Sequence, residues 1–128
     1  MVKPQIVKEW FEKGEKDIKN AEFLFAHHRD LETVAFHIQQ AAEKYLKGFL
    51  ISKGRELAPI HDLVKLLQSA IEIDFEFIQY KNIAKEASNF YFEGRYPMGY
   101  EVEYSNAEIK EVLIRVRELI KLIKEKAK

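Results

Sequence analysis

The sequence contains no cysteine, so disulfide bonds, thiolate zinc sites and cysteine nucleophiles are all excluded. Proline and glycine are sparse, with three prolines and five glycines among 128 residues, which leaves long stretches free to form helices. Neither sign of charge dominates, because 21 Lys and Arg balance 21 Asp and Glu. This balance argues against a protein that coats nucleic acid through bulk charge, but it allows a local basic patch.

Long hydrophobic runs are missing as well. No segment has the roughly 18 consecutive apolar residues that a membrane-spanning helix requires. Residues 1–16 lack the apolar run and the small-residue cleavage site of a secretory signal. We therefore expect a soluble, cytoplasmic protein with no membrane partner. The abundance of Lys and Glu is compatible with a thermophilic source.

The hydrophobic residues that are present, 47% of the chain, recur at intervals of three and four and do not alternate as in a strand. This periodicity predicts an all-α fold, a five-helix up-and-down bundle in a single domain over residues 1–128. We expect the helices at about residues 4–28, 31–53, 60–67, 74–92 and 105–123.

Single residues indicate where these helices end and meet. Gly54 follows the second helix, as glycine often does at a helix C-terminus. Asp74 is a predicted N-cap, and Ser105 with Glu108 has the pattern of a capping box. Gly14 lies on the apolar stripe of the first helix, where it would allow another helix to approach closely.

The polar side of the second helix is the first candidate site. His37, Gln40, Glu43, Lys44 and Lys47 recur at intervals of three and four, so they share one side of the helix. Donors and acceptors of both signs in one stripe suit a phosphate or the edge of a base. The alternative interpretation is a solvated face on which Glu43 and Lys47 form an exposed ion pair.

The second candidate is His61 with Asp62, at the start of the third helix. A histidine at this position can act as an acid, a base or a hydrogen-bond donor. The alternative role is local, because polar residues at helix starts commonly cap the helix or anchor the preceding loop.

The third candidate is the aromatic-rich segment 89–100, which carries Arg95 and Tyr96. Arginine supplies a fork for phosphate and aromatic rings supply stacking surfaces, a combination that suits nucleotides or single-stranded RNA. The same residue types are enriched in dimer interfaces, so that interpretation stays open. No metal site is predicted, since the adjacent His27 and His28 would point about 100° apart on a helix. No cofactor is predicted either.

Several ordered segments resemble the HEPN family, named for higher eukaryotes and prokaryotes and for proposed nucleotide binding. The similar segments are FHIQQAAEKYLK at 36–47, His61-Asp62-Leu63, Gly94-Arg95-Tyr96-Pro97, and the opening pattern from Trp10 to Leu24. The resemblance implies an up-and-down helical bundle that usually pairs as a two-fold homodimer. It also implies a minimal nucleotidyltransferase partner, in some cases as a toxin–antitoxin pair, and a role in binding nucleotide or acting on RNA.

One departure from the family pattern bears on catalysis. Nuclease members of the wider superfamily carry an arginine followed, four to six residues later, by a histidine. Here Arg95 lies in the matching region, but Tyr100 is five positions on and no histidine follows. A tyrosine hydroxyl is a poor base at neutral pH. Arg55 and His61 have the required spacing in a different loop, and we interpret that match as accidental, so we do not expect nuclease activity by the family mechanism.

These observations define one favoured hypothesis and two alternatives. The favoured hypothesis is a nucleotide-binding module whose cleft is formed by Gln40, Glu43, Lys44, Lys47, His61, Arg95 and Tyr96. In it the lysines and the arginine engage phosphate, whereas His61 and Gln40 orient sugar or base. The first alternative is a metal-independent ribonuclease toxin that uses His61, Arg95 and Arg55. The second is a purely structural partner that docks through the aromatic segment.

Overall fold

The computed structural model describes residues 4–56, 59, 61–93 and 104–128, with residues 91–93 described by their backbone alone. This part of the chain is helical and contains no strand. Its elements are α1 (Pro4–Ala26), α2 (Leu31–Ser52), α3 (Leu63–Ile73), a 3-10 helix (Phe75–Tyr80), α4 (Lys81–Glu93) and α5 (Asn106–Lys126). The predicted all-α, five-helix fold is confirmed. Across the described ranges, no helix is both long and apolar enough to traverse a bilayer.

The first two helices end in the same backbone motif. After α1, His28 has a φ of 54°, and the N–H groups of His28 and Arg29 bond back to the carbonyls of Phe25 and Leu24. Gly54 adopts the corresponding left-handed conformation after α2, with a φ of 79°. Both ends have the hydrogen bonds of a Schellman motif. The predicted end of α2 at Gly54 is therefore confirmed, whereas α1 ends two residues earlier than predicted.

The segment after Asp74 differs from the prediction. Asp74 does act as an N-cap, accepting from the N–H of Glu76 at 3.0 Å, but it caps a 3-10 helix, and α4 begins only at Lys81. Three residues per turn place Phe77 and Tyr80 on the same side, and both are buried. Phe77 packs on Phe49 of α2 with 4.9 Å between ring centroids. Burial of Phe77 against α2 accounts for the tighter helix in place of the first turns of a longer α4.

Helices α3 and α5 each begin at a polar N-cap residue. Asp62 is the N-cap of α3 and accepts from the N–H groups of Val64 and Lys65. Ser105 is the N-cap of α5 and accepts from the N–H of Glu108 at 3.1 Å, which is the hydroxyl half of the predicted capping box. Position 60, the predicted start of the third helix, lies outside the described residues.

The α1–α2 pair packs closely because each helix places a glycine against an aromatic ring of the other. A Cβ atom on Gly14 would lie 2.6 Å from a ring carbon of Tyr45, and one on Gly48 would lie 2.6 Å from a ring carbon of Phe11. Both distances are shorter than van der Waals contact between carbon atoms. The expectation that Gly14 permits close helix approach is met, and Gly48 serves the same purpose from the opposite side.

A polar network connects α1 and α2 with α5, and the helical periodicity of the sequence gives no sign of it. Arg117 donates to both carboxylate oxygens of Glu15, at 2.8 and 3.1 Å, and to both of Glu22, at 3.3 and 2.8 Å. The hydroxyl of Tyr45 donates to Glu15 at 2.7 Å. Partial burial acts to raise the pKa of Glu15, but the bonds from Arg117 and Tyr45 and the nearby charges of Arg117 and Lys124 outweigh it and lower the pKa to about 2.

We predict that Gly14→Ala lowers the free energy of unfolding by about 1–2 kcal/mol, although alanine is the better helix former by roughly 1 kcal/mol. The added methyl group would overlap the buried ring of Tyr45, which cannot move without disturbing the core. Urea denaturation measures the effect. Asn20→Ala, at an exposed position of the same helix, is the control and should be neutral or slightly stabilising. A Gly14→Ala protein at least as stable as the parent would contradict the close packing.

We also predict an acid-sensitive contribution from Glu15. Because the pKa of Glu15 in the folded protein is about 2, below its ordinary value of 4.5, the stabilisation is complete above pH 4.5 and is lost as pH falls towards 2. Glu15→Gln removes this contribution. The difference in unfolding free energy between parent and variant, measured by denaturation from pH 6 to pH 2, should therefore shrink with acidification. A difference that is constant over this range would contradict the assignment.

Candidate functional site

Glu43 is the centre of a polar cluster on α2, here called the Glu43 cluster (Gln39, Glu43, Lys47, His61). Its Oε2 accepts from Lys47 Nζ at 3.0 Å and lies 3.2 Å from His61 Nδ1, and its Oε1 accepts from Gln39 Nε2 at 3.2 Å. The side chains of Glu43 and Lys47 are only 6% and 7% exposed. The interpretation of an exposed Glu43–Lys47 ion pair is therefore wrong, because neighbouring helices cover the pair.

Trp10 of α1 covers the ammonium group of this cluster. Lys47 Nζ lies 5.4 Å from the centroid of the Trp10 ring, a distance at which a cation is attracted to the face of an indole. Trp10 can lie this close to Lys47 because the next residue on α2, Gly48, has no side chain and leaves room for Trp10 and Phe11 of α1. The close α1–α2 contact thus determines the environment of Lys47.

His61 connects the buried pair to solvent. Its Nδ1 faces Glu43 and also lies 3.4 Å from Lys47 Nζ, while the side chain as a whole is 61% exposed. The carboxylate of Glu43 therefore orients the ring, and the opposite nitrogen, Nε2, is the one available to a ligand. Capping of α3, the alternative role for His61, is performed by Asp62.

A second cluster, here called the Asp17 cluster (Asp17, His37, Lys44), joins α1 to α2. Asp17 Oδ1 lies 2.9 Å from His37 Nδ1, and Asp17 Oδ2 accepts from Lys44 Nζ. Asp17 itself is largely buried, whereas His37 and Lys44 are partly exposed. The polar stripe of α2 is thus divided between two carboxylates. Asp17 was not a predicted site residue, although a carboxylate on the otherwise apolar stripe of α1 is a signal that could have found it.

Gln40 lies between the two clusters. Its Nε2 donates to Gln39 Oε1 at 2.7 Å, and the fully buried Gln39 in turn donates to Glu43. The side chain of Gln40 is therefore held in place, while the residue remains partly exposed.

Arg55 does not join this group. It is exposed after the end of α2, and within the described ranges no hydrogen bond connects it to His61. Arg95 and Tyr96 lie outside the described residues. The structure therefore brings the middle of α2 and the start of α3 together, as the site hypothesis requires, and leaves the contribution of the third segment a prediction.

Neither cluster has the composition of a metal centre. Among residues 4–56, 59, 61–93 and 104–128, no three His, Asp or Glu side chains converge in a way that would hold an ion. A groove of about 640 Å³ does open elsewhere, between the N-terminal half of α1, the C-terminal half of α2 and the end of α5. Its lining includes Val7, Phe11, Tyr45 and Lys124 but none of the predicted site residues.

Comparison with known proteins identifies related sequences and folds. The sequence pattern of the HEPN domain matches residues 7–126. ST0689, an archaeal HEPN homologue with a known crystal structure, is 24% identical to the chain in sequence. The match covers 95% of this chain and 98% of ST0689, and the two structures superpose with a TM-score of 0.73. The crystal structure of TT1696 from Thermus thermophilus is of a protein 23% identical in sequence. That match covers 94% of this chain and 97% of TT1696, with a TM-score of 0.77. No curated protein matches the chain.

We predict that the two partners of Glu43 differ strongly in their effect on stability. Lys47→Ala leaves a buried carboxylate without its cation and should cost about 3–5 kcal/mol. His61→Ala removes an exposed partner and should cost less than about 1 kcal/mol. Chemical denaturation of both variants tests the difference. Equal losses would mean that His61 is a structural member of the cluster and not a group presented to solvent.

Proposed function

The chain belongs to the HEPN domain family, and from this premise we propose that it is a nucleotide-binding module that works with a minimal nucleotidyltransferase partner. The proposal includes a homodimeric state and a toxin–antitoxin relationship between the two proteins. A cytoplasmic location stays a prediction from the sequence.

The observation that carries this proposal is the buried Glu43–Lys47 pair under the exposed His61. Burying two charges costs free energy, and apolar residues in their place are often equally stable or more so. A solvated helix face does not need such a pair. A site that must hold an imidazole in one orientation does, because the buried carboxylate fixes the ring while its other edge faces solvent.

In this proposal the predicted residues have different tasks. His61 Nε2 and the amide of Gln40 would orient a sugar or a base. Lys44, about a quarter exposed, can reach a phosphate. Lys47 is almost completely covered, so its role changes from contacting phosphate to holding Glu43 and supplying positive charge beneath the ligand. Arg95 and Tyr96 remain proposed members of the site.

Binding is favoured over the ribonuclease alternative because no histidine follows Arg95 in the sequence, as the nuclease pattern requires. Arg55, which has the required spacing from His61, makes no hydrogen bond with it in the described part of the chain. Among the described residues, His61 has a carboxylate and an ammonium beside it. That set can orient a ligand.

Calorimetric titration tests the proposal. ATP, GTP, CTP and UTP are each titrated into the protein, alone and with the nucleotidyltransferase partner. We expect at least one to bind, and His61→Ala to weaken binding roughly tenfold by removing one hydrogen bond to the ligand. His27→Ala, an exposed histidine at the end of α1, is the matched control and should leave affinity unchanged. Absence of heat in every combination would refute nucleotide binding.

A further inference from the structure

A groove between α1 and α5 lies apart from the two polar clusters of α2. The two helices are antiparallel there, since Arg117 bonds to both Glu15 and Glu22 of α1, whereas Lys124, further along α5, lies 3.8 Å from Glu15. The groove has a depression towards each end, one of about 640 Å³ and one of about 360 Å³. No residue of either polar cluster lines these depressions.

Each depression has apolar side chains in its wall. Val7 and Phe11 of α1 line the larger one, together with the ring of Tyr45. Leu113 and Ile114 of α5 line the smaller one, and Ile114 is 51% exposed. Apolar surface is therefore open to solvent at both ends of the groove, which is typical of a surface that another chain covers.

The acidic side chains of the groove are already paired. Each of the four glutamates that line the depressions has a cationic partner: Glu12 with Lys8, Glu15 and Glu22 with Arg117, and Glu118 with Arg115. Little negative charge is therefore left to attract a basic ligand.

The basic side chains on the α5 edge of the groove have fewer partners. Lys110, Ile114, Arg117, Lys121 and Lys124 follow one another at intervals of three and four residues, so they form one stripe of the helix. Lys110 and Lys121 are exposed, and neither makes a hydrogen bond or ion pair with the described part of the chain. Lys124 has only its 3.8 Å approach to Glu15. The charge that this edge offers to a ligand is therefore positive.

We propose that the α1–α5 groove docks an amphipathic helix of a partner protein, one with an apolar face and acidic flanks. The apolar face packs on Phe11 and Tyr45 at one end and on Ile114 at the other. The acidic flank pairs with Lys121 and Lys124. This inference does not rest on the proposed nucleotide binding, because the groove and the polar clusters share no lining residue.

The dimensions of the groove favour a helix as its occupant. Ile114 and Ala127, which line opposite depressions, are 13 residues apart, or about 20 Å along the axis of α5. A partner helix of about four turns spans this length, and its side chains at every third and fourth position face the groove. A nucleic acid would use the lysines but would leave the apolar walls uncovered.

Fluorescence anisotropy with labelled synthetic peptides tests the proposal. The acidic peptide is a stapled helix of about four turns, with leucines at intervals of three and four and glutamate at most other positions. We expect it to bind the full chain. The same peptide with lysine in place of each glutamate should bind at least roughly tenfold more weakly, because its charge matches that of the α5 edge. A peptide of equal composition whose leucines are spread around all sides should also bind more weakly, since it has no apolar face.

Two substitutions in the groove have matched controls. Ile114→Ser should weaken the acidic peptide roughly tenfold by removing apolar contact area, whereas Ile78→Ser, at an exposed position of the 3-10 helix, should not. Lys121→Gln should weaken it severalfold, whereas Lys85→Gln, an equal change of charge on α4, should not. Thermal melts verify that these surface variants are folded.

The outcomes separate the proposed occupant from others. Loss of affinity in Ile114→Ser and Lys121→Gln, with both controls unaffected, supports the docking of an acidic helix. No binding of the acidic peptide, or equal binding of the acidic and basic peptides, would overturn it.

Two further results would also overturn the proposal by identifying a different occupant. If a second copy of the chain covers the groove, sedimentation velocity of the free protein shows a dimer that Ile114→Ser dissociates. If a nucleic acid occupies it, a labelled oligothymidylate binds, and Lys121→Gln weakens that binding while Ile114→Ser does not.

Discussion

The close contact between α1 and α2 is the constraint on which the other features depend. Gly14 and Gly48 remove the Cβ atoms that would otherwise hold the helices apart, and the rings of Tyr45 and Phe11 occupy the space. At this separation, polar side chains of one helix reach those of the other. Asp17 meets His37 and Lys44, and Trp10 covers Lys47. The arrangement of the polar stripe of α2 therefore depends on helix packing as much as on helix periodicity.

The same contact explains how α5 is connected to the pair. Tyr45, which fills the space beside Gly14, also donates its hydroxyl to Glu15, and Glu15 accepts from Arg117 of α5. One buried ring thus joins the apolar packing to the polar network. Because Glu15 has a pKa of about 2 in this environment, its carboxylate keeps its charge over the whole neutral range. Stability and site geometry thereby share one structural origin.

Local sequence signals were sufficient for much of the fold. Asp74 and Ser105 are caps, and Gly54 ends α2, because each of these signals acts on its own backbone neighbours. The 3-10 helix at Phe75–Tyr80 could not be predicted in this way. It depends on Phe77 packing against Phe49, a contact between residues far apart in the chain.

The candidate site shows the same division. Periodicity placed Glu43 and Lys47 on one side of α2, but it could not indicate that neighbouring elements bury them. The groups around them are His61, 18 residues from Glu43, and the ring of Trp10. Asp17 was missed for a related reason, since its partner His37 is 20 residues away. Spacing along one helix identifies residues that share a face, whereas their chemistry depends on what the next helix places opposite.

In the proposed site, burial and exposure serve different needs of recognition. A group that contacts ligand must be accessible, yet an accessible long side chain loses affinity through the entropy of ordering it. In the described structure the buried charges of Glu43 and Lys47 hold His61, and the buried amide of Gln39 holds Gln40, so the fold orders these accessible groups. Under the proposed function, the free energy of burying the ion pair is spent in the fold and lowers the entropic cost of binding at the surface.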